Sequence, residues 1–322
     1  MTAAPAAPPP PAASDLIRPS APIEVIAASR WFGNVVAVNE ISFNVGPGIT
    51  GLLGPNGAGK STLLHMLSGF LRPSRGEVRV FGEPIWGNPA LYARIGLVPE
   101  RESVYPFLTG REFVALSARL HGVADVNGAT ARAIGEVEMG QFQDRATGGY
   151  SKGMKQRIKV ASALVHNPPV LLLDEPFNGM DPHQRLQMIS LLRRSAAEGT
   201  AILVSSHILE EVEQLADSVL VVVNGRLAAS GDFKEIRRLM TDRPHTFRLR
   251  TSANRALAAA LVGDPAVISV ELDGDVLAVR TGDFGAFTSA IAPAAKERGV
   301  TLFELLPTDE SLESVFSYLV GR

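Results

Sequence analysis

The sequence contains no cysteine, which excludes disulfide bonds, thiolate metal sites and cysteine nucleophiles. It also lacks the run of about 18 apolar residues that a membrane-spanning helix requires. The most apolar stretches, 170–173 and 219–223, are short and end at Asp174 and Asn224. Such runs indicate strands that are buried on both faces. Any membrane role is therefore expected to come through a partner.

An excess of charge is missing as well. The chain has 31 Lys and Arg against 33 Asp and Glu, for a net charge of −2. A nucleic-acid partner usually requires a basic face, so none is expected. Nor does the N-terminus read as a secretory signal, because Pro5 and the prolines at 8–11 interrupt what would have to be an apolar core. The Ala/Pro-rich residues 1–22 instead predict a disordered tail.

The most informative segment that is present is GPNGAGKST at 54–62. It fits the phosphate-loop pattern G-x-x-x-x-G-K-[ST]. Four residues fill the fixed places, namely Gly54, Gly59, Lys60 and Ser61. An apolar run at 49–53 leads into the loop, and 62–67 predicts a helix that leaves it. Strand, loop and helix thus occur in the order that the motif requires.

The chemistry of this segment follows from its backbone. Glycines allow the loop to curl so that its N–H groups, including those at Asn56, Gly57 and Thr62, surround a polyphosphate. The helix that follows directs unpaired N–H groups and its positive dipole end to the same anion. Lys60 is expected to reach the β- and γ-phosphates, and the Ser61 hydroxyl to ligate Mg²⁺.

The second constellation stands at the end of the aliphatic run 170–173. Asp174 is placed to hold Mg²⁺ opposite Ser61. Glu175 is expected to point to the other side of the strand, into the cleft at the carboxyl ends of the parallel strands. A carboxylate there can act as general base for an attacking water.

The rest of the chain shows a division into domains. The first predicted domain runs from residue 23 to residue 240 and is rich in short strands. A predicted helical block at about 102–168 interrupts it. Residues 243–322 predict the order β-α-β-β-α-β, with a final helix at 311–319, which is a ferredoxin-like plan. This second domain shows no catalytic constellation.

These motifs together resemble those of ABC-transporter ATPase subunits. The resemblance rests on the order and spacing of five features that run from the phosphate loop to a late histidine. They are 54–62, YSKGMKQR at 150–157, LLLDEP at 171–176, NGMDP at 178–182 and His207. The form SKGM at 151–154 and the ending DESLESVF at 309–316 look most like bacterial exporters that pair the ATPase with a separate polytopic permease.

The resemblance implies an α/β fold with a phosphate-loop NTPase core of the RecA type. To this core the family adds an antiparallel β subdomain and a helical insertion, and here a small C-terminal α+β domain follows. It also implies a dimer, homo- or heteromeric, that sandwiches two ATP molecules. Ser151 and Gly153 of one subunit would face the γ-phosphate held by Lys60 of the other, with Asp181 near the seam.

Two further roles come from the same resemblance. His207 is similar to the histidine that hydrogen-bonds the γ-phosphate. Phe32 matches the aromatic that stacks on adenine, whereas the residues alone left adenine stacking and core packing equally open for Trp31 and Phe32. The family usually has glutamine where Glu100 stands, so whether Glu100 ligates Mg²⁺ directly stays open. Lys152 and Met154 replace the commoner Gly and Gln of the signature.

Three functional hypotheses follow. The first is the ATP-hydrolysing subunit of an exporter for drugs, antibiotics, lipids or polysaccharides, peripheral on the cytoplasmic face of the membrane. The second is an ABC ATPase without a permease, acting on ribosomes or DNA, although such proteins generally fuse two ATPase domains or insert long coiled coils. The third is a nucleotide sensor, against which Glu175 and His207 argue. The C-terminal domain could stabilise the dimer or regulate it.

Overall fold

A computed structural model describes residues 21–101, 104–232, 236, 244–308 and 316. Nearly all of the predicted N-terminal tail lies outside these ranges, as does the predicted final helix at 311–319 apart from residue 316. The chain divides into two compact units, and the boundary falls between Ser230 and Gly231. Each unit is described below by itself.

The first unit is built on a sheet of six strands in the order β10-β9-β3-β8-β7-β6. Its members, in chain order, are β3 (Gly48–Leu53), β6 (Ile95–Val98), β7 (Val170–Asp174), β8 (Ala201–Ser205), β9 (Ser218–Val223) and β10 (Arg226–Gly231). The strands from β9 to β6 run parallel. The predicted all-aliphatic strand therefore lies within a parallel sheet.

Strand β7 shows why four aliphatic residues follow one another there. Val170 and Leu172 belong to one hydrophobic cluster, and Leu171 and Leu173 to another. Successive side chains of a strand point to opposite faces, so β7 contributes to a core on each side of the sheet. All five residues of β7 are buried.

The strands of a second sheet come from both sides of the phosphate loop in the chain, two before it and two after it. It contains β1 (Ile23–Phe32), β2 (Val35–Val45), β4 (Arg75–Val80) and the short β5 (Glu83–Pro84) in the order β2-β1-β4-β5. All neighbouring pairs are antiparallel. The two first strands extend beyond the predicted 23–28 and 37–45, because Trp31 and Phe32 pair with Val36 and Val35 across the hairpin.

Helices cover both faces of the central sheet. In the first unit they are α1 (Lys60–Leu67), α2 (Pro89–Tyr92), α3 (Gly110–Leu120), α4 (Val126–Glu136), α5 (Lys152–Leu164), α6 (Pro182–Ala197) and α7 (Leu209–Leu215). Helices α3, α4 and α5 stand between β6 and β7. They form the predicted helical insertion and share one apolar cluster with the sheet.

Local chemistry fixes where the helix α3 begins. The Thr109 side chain accepts from the Glu112 backbone N–H at 3.2 Å, and Glu112 Oε2 accepts from the Thr109 N–H at 2.8 Å. This is the reciprocal capping box that the sequence predicts at this point.

The second unit has the ferredoxin-like topology that the sequence predicts. Its elements in chain order are β11 (His245–Thr251), α8 (Asn254–Leu261), β12 (Val267–Asp273), β13 (Val276–Thr281), α9 (Phe284–Glu297) and β14 (Leu302–Pro307). The strand order is β12-β13-β11-β14, with every pair antiparallel. The two helices pack on one face around Phe247 and Phe287.

None of the helices in the described ranges combines the length and the apolar character that a membrane span needs.

Two histidines stack where α3 and α5 end. The rings of His121 and His166 lie 3.8 Å apart with an angle of 11° between them. Burial, and secondly the neighbouring His121, lowers the pKa of His166 from 6.5 to about 4. The folded protein thus keeps His166 neutral at a pH where the unfolded chain protonates it.

We therefore expect the free energy of unfolding to fall as the pH drops from 6.5 towards 4, because the unfolded state alone binds this proton. The free energy of unfolding of His166→Phe, which keeps a stacking ring, should fall less over the same pH range. Urea denaturation at several pH values measures it, with His183→Gln on the exposed surface of α6 as control. Equal pH dependence in His166→Phe and the wild type would contradict the assignment.

Candidate active site

The carboxyl ends of three adjacent parallel strands meet at one edge of the central sheet. Ser205 at the end of β8 pairs with Asp174 of β7 on one side and with Leu52 of β3 on the other. Ligands of open α/β sheets bind outside this edge. The loop after β3 and the acidic end of β7 are thereby brought together.

The phosphate loop is shaped by a close backbone approach. Gly59 caps α1 with φ 105°, a conformation that side chains rarely adopt. A Cβ atom at Gly59 would lie 2.4 Å from the carbonyl oxygen of Ala37. Only glycine fits between α1 and β2, so this helix begins at Lys60 with its free N–H groups directed towards the cleft.

The cleft at this edge has a volume of about 400 Å³ and contains most of the predicted site. Ten residues line it: Ala37, Asn56, Gly57, Gly59, Lys60, Ser61, Thr62, Glu100, Asp174 and Glu175. Nine of the ten are residues singled out from the sequence, and Ala37 is the addition. Residues 56–57, 59–62, 100 and 174–175, which come from three separate parts of the chain, share one cavity.

The Lys60 ammonium is buried against its own loop. Nζ donates to the carbonyl oxygens of Gly54 at 2.7 Å and Pro55 at 3.2 Å. Burial lowers the pKa of Lys60, while the carboxylates of Glu175, Asp174 and Glu100 oppose that shift. One cation thus faces three acidic side chains in the cleft.

Glu175 stands in a strained conformation just after β7. Its φ is +50°, and a non-glycine residue in the left-handed region costs roughly 1–3 kcal/mol. Glu175 lines the cleft as the sequence predicts, but it does so from a left-handed turn and not through the alternation of a strand. The alternation of a strand ends at Asp174, and the left-handed turn brings both carboxylates to the same cleft.

Three backbone contacts hold this conformation. The Glu175 N–H donates to the Ser205 carbonyl at 3.1 Å. The Glu175 carbonyl accepts from the Asn178 N–H at 3.3 Å and from Gln156 Nε2 at 3.3 Å. The surroundings therefore determine where the Glu175 carboxylate lies.

The side chain of Glu175 is joined to His207. His207 Nδ1 and Glu175 Oε2 lie 2.9 Å apart, and the carboxylate side chain is almost fully buried while the imidazole is half exposed. Burial raises the pKa of Glu175, and the hydrogen bond from His207 works against that rise. A buried carboxylate with a raised pKa beside a histidine is an arrangement suited to proton transfer.

Six predicted residues do not line the cleft. Two of them, Gly54 and His207, contact its lining residues Lys60 and Glu175, and the other four are Phe32, Ser151, Gly153 and Asp181. Phe32 is half exposed at the end of β1, with the Arg30 guanidinium 4.6 Å from its ring centroid. Ser151 caps α5 by accepting from the Met154 N–H at 3.2 Å. Asp181 caps α6 in the same way, with a distance of 2.8 Å to the Gln184 N–H. Phe32, Ser151 and Asp181 are all exposed, and the last two stand at the starts of helices.

Gly153 joins two of these segments. A Cβ atom at Gly153 would lie 2.7 Å from the Gly179 carbonyl oxygen and 2.7 Å from Gln184 Oε1. The start of α5 and the turn before α6 therefore touch through backbone. The segments that carry Ser151 and Asp181 form one surface.

The donor set of the cleft fits Mg²⁺. Ser61, Glu100 and Asp174 present oxygen atoms to one cavity beside the phosphate loop. Mg²⁺ prefers oxygen ligands, and it is commonly bound through one or two carboxylates together with substrate phosphates. Ser205 Oγ donates to Asp174 Oδ1 and so fixes the orientation of that carboxylate.

Two contributors were missed by the sequence analysis. Ser205 orients Asp174, and Gln156 contacts the backbone of Glu175. The contact between Ser205 and Asp174 depends on the order of strands in the sheet. The sequence could reveal it only if β8 were already known to lie beside β7. Gln156 lies within the quoted YSKGMKQR segment, but its partner, 19 residues later, is set by the fold.

A phosphate loop after the first strand of a parallel sheet, and two acids at the end of a strand one place beyond its neighbour, define a phosphate-loop nucleoside triphosphatase. Comparison with known proteins narrows this class. Residues 38–178 match the sequence model of the family described as ABC transporter. This range includes the phosphate loop, the signature segment and both acids.

Curated relatives match along nearly the whole chain. The daunorubicin/doxorubicin resistance ATP-binding protein DrrA of Streptomyces peucetius is 33% identical, over 95% of this chain and 94% of its own length. The bacitracin transport ATP-binding protein BcrA of Enterococcus faecalis is 32% identical, with coverages of 93% and 96%. The Nod factor export ATP-binding protein I of Burkholderia lata is 34% identical, with coverages of 94% and 98%.

A solved structure described as the ATP binding subunit of an ABC transporter is also similar. It is 30% identical with a TM-score of 0.63, over 67% of this chain and 92% of that one. A dimeric bacterial ABC transporter cassette, 22% identical with a TM-score of 0.61, supports the fold alone. The chain belongs to the family of ABC transporter ATP-binding proteins, which are ATPases.

The buried carboxylate of Glu175 leads to a stability prediction. Because its pKa is raised in the folded state, ionisation of Glu175 lowers stability as the pH rises above 4.5 through the folded pKa. Without nucleotide at pH 7.5, Glu175→Gln should therefore unfold at a higher temperature than the wild type, by about 2–4 °C for each kcal/mol gained.

Differential scanning calorimetry measures this effect. Glu210→Gln on the exposed face of α7 is a matched control that removes the same charge without relief of burial. A melting temperature for Glu175→Gln at or below that of the control would show that burial does not penalise this carboxylate.

Proposed function

We propose that this chain is the ATP-hydrolysing subunit of an exporter. In this proposal two copies, or a copy and a homologous subunit, sandwich two ATP molecules on the cytoplasmic face of a polytopic permease. The observation that carries it is the Glu175–His207 pair at the phosphate-loop cleft, since a protein that only senses nucleotide does not need a water-activating group. The similarity to the Nod factor export protein supports export, and the similarity to DrrA and BcrA, named for drug resistance and bacitracin transport, is consistent with it.

The cleft suggests how ATP is held. The phosphates would lie on the N–H groups of the loop and of the first turn of α1. Lys60 would exchange its contacts with the Gly54 and Pro55 carbonyls for the β- and γ-phosphates. Ser61 and Asp174, with Glu100 as a further oxygen donor, would hold Mg²⁺. When bound, the ion neutralises phosphate charge that three carboxylates alone would repel.

Hydrolysis requires a water in line with the γ-phosphate. Glu175 would accept a proton from that water as it attacks, a contribution of roughly 10²–10⁴ in rate. His207, held 2.9 Å from Glu175, would hydrogen-bond the γ-phosphate from the same side. Phe32 would stack on the adenine, with Arg30 against its ring.

The dimer accounts for the segments that lie outside the cleft. Ser151 and Gly153 begin α5, which is a second anion site with no phosphate of its own. The spare site is best used on the ATP bound by a partner subunit, with Asp181 at the seam. The contact of Gly153 with Gly179 supports this, because it presents both segments to a partner together.

An apolar groove supports a permease partner. It has a volume of about 620 Å³ and lies where α1, α2 and β6 meet α3 and α5. Phe70 and Trp86 line it and are 75% and 47% exposed. Exposed apolar surface of this kind marks interaction sites. We assign it to a cytoplasmic segment of the permease, which would receive the closing motion through the helical insertion.

The two parts of the chain would have different roles. Residues 23–240 would form the ATPase domain, with the helical subdomain at about 102–168. Residues 243–322 would form an accessory domain that stabilises or regulates the dimer. Export of a particular cargo would depend on the permease, since recognition does not occur in this chain.

The catalytic assignment predicts the behaviour of Glu175→Gln. ATP binding should stay close to that of the wild type, hydrolysis should fall at least 10²-fold or so, and an ATP-bound dimer should accumulate. Phosphate release and size-exclusion chromatography with light scattering measure these properties. Lys60→Ala, which removes the phosphate contact, should neither bind nor dimerise with ATP. Near wild-type turnover of Glu175→Gln would show that another group is the base.

The groove assignment predicts the behaviour of Phe70→Asp. A buried carboxylate at the docking surface is costly, so less of this variant should sediment with membranes of cells that produce the full transporter. ATPase activity of the isolated subunit should not change. Val262→Asp, which alters an equally exposed apolar residue of the second unit, is the matched control. If equal amounts of both variants sedimented with membranes, the groove would not be the surface that binds the permease.

A further inference from the structure

Gln156 is a buried polar residue to which the ATPase mechanism gives no role. It lies in the second turn of α5 and is 4% exposed. Its amide nitrogen donates to the backbone carbonyl of Glu175 at 3.3 Å. Buried amides are retained where their hydrogen bonds are satisfied, so this contact is a specific feature of the fold.

The contact acts on a residue whose backbone is strained. Glu175 has a φ of +50°, and such a conformation persists only where the surroundings determine it. Ser205 holds its N–H from β8, and Asn178 holds its carbonyl from the next turn. Among the described contacts of Glu175, that of Gln156 is the one that comes from α5.

Helix α5 has a second connection to the reaction. It begins immediately after Ser151, and Gln156 follows five residues later, about 8 Å along the axis. A helix moves as a rigid element over this length. A shift at Ser151 would therefore be felt at Gln156, and through its amide at the Glu175 carbonyl.

We infer that Gln156 is a positioning residue, which holds the left-handed turn at Glu175 and links the start of α5 to the base of the same subunit. The inference rests on the proposed function, since it requires that Glu175 acts on water and that Ser151 meets the partner's nucleotide. Gln156 is not among the residues that line the cleft. It acts by keeping the Glu175 carboxylate beside His207.

The first test is the split between kcat and KM in Gln156→Leu. Leucine fills a similar volume but cannot donate to the Glu175 carbonyl. We expect kcat to fall about 10- to 100-fold, because a misplacement of about 1 Å at a catalytic group can cost this much. KM for ATP and the directly measured ATP affinity should change less than about twofold, since Lys60 and the loop are untouched.

Val160→Ala is the matched control for this variant. Val160 is fully buried in α5, so the substitution loosens the same helix without touching the Glu175 carbonyl. Its kcat should stay near that of the wild type at a temperature where both variants are folded by circular dichroism. A kcat of Gln156→Leu within twofold of wild type, or an equal loss in Val160→Ala, would overturn the inference.

The second test asks which subunit Gln156 serves. Mixed dimers are purified with two tags, and one subunit carries Glu175→Gln so that a single base remains. Gln156→Leu should lower turnover when it stands in the subunit that retains Glu175, and should leave it near the mixed-dimer control when it stands in the other. The reverse pattern, or equal losses in both arrangements, would contradict a link within one subunit.

Failure of the dimer itself gives a different result. If the two tagged subunits never co-purify with ATP, the sandwich in the proposed function is wrong. The kcat of Gln156→Leu against Val160→Ala would then still decide whether Gln156 positions Glu175, whereas the link to Ser151 would be overturned with the dimer. The two hypotheses are therefore tested separately.

Discussion

The parallel pairing of β8 with β3 and β7 is the constraint on which the site depends. Ser205 is in register with Leu52 on one side and Asp174 on the other. This pairing places the phosphate loop beside the acidic end of β7, and it supplies the Ser205 carbonyl that holds the Glu175 N–H. Because the strands are buried on both faces, two apolar clusters fix their register and hence the distance between the loop and the two carboxylates.

Much of this arrangement could be predicted from the sequence. The phosphate loop, the aliphatic strand before Asp174 and the capping box at Thr109 are local patterns whose physical causes lie within a few residues. The β-α-β-β-α-β order of the second unit is likewise a pattern of periods and turns. The shared cleft of residues 56–57, 59–62, 100 and 174–175 follows from the rule that parallel strands expose their carboxyl ends at one edge.

What could not be predicted depends on contacts between distant segments. Glu175 was expected to follow the alternation of the strand, but its left-handed turn is held by the nearby Asn178 and also by Ser205 and Gln156, which come from two distant elements. The stacking of His121 on His166 similarly depends on how α3 meets α5. The roles proposed for Ser151, Gly153 and Asp181 require a partner molecule, which a single chain does not supply.

The contact between Gly153 and Gly179 has a consequence for how this surface can change during evolution. Any side chain at Gly153 would strike the carbonyl of Gly179, and any side chain at Gly179 would strike Cβ of Lys152. A side chain at either glycine would therefore displace the backbone or side chain of the other segment. Substitutions at exposed neighbours such as Lys152 can change the chemistry of this surface, while the backbone beneath them has to be kept or changed as a unit.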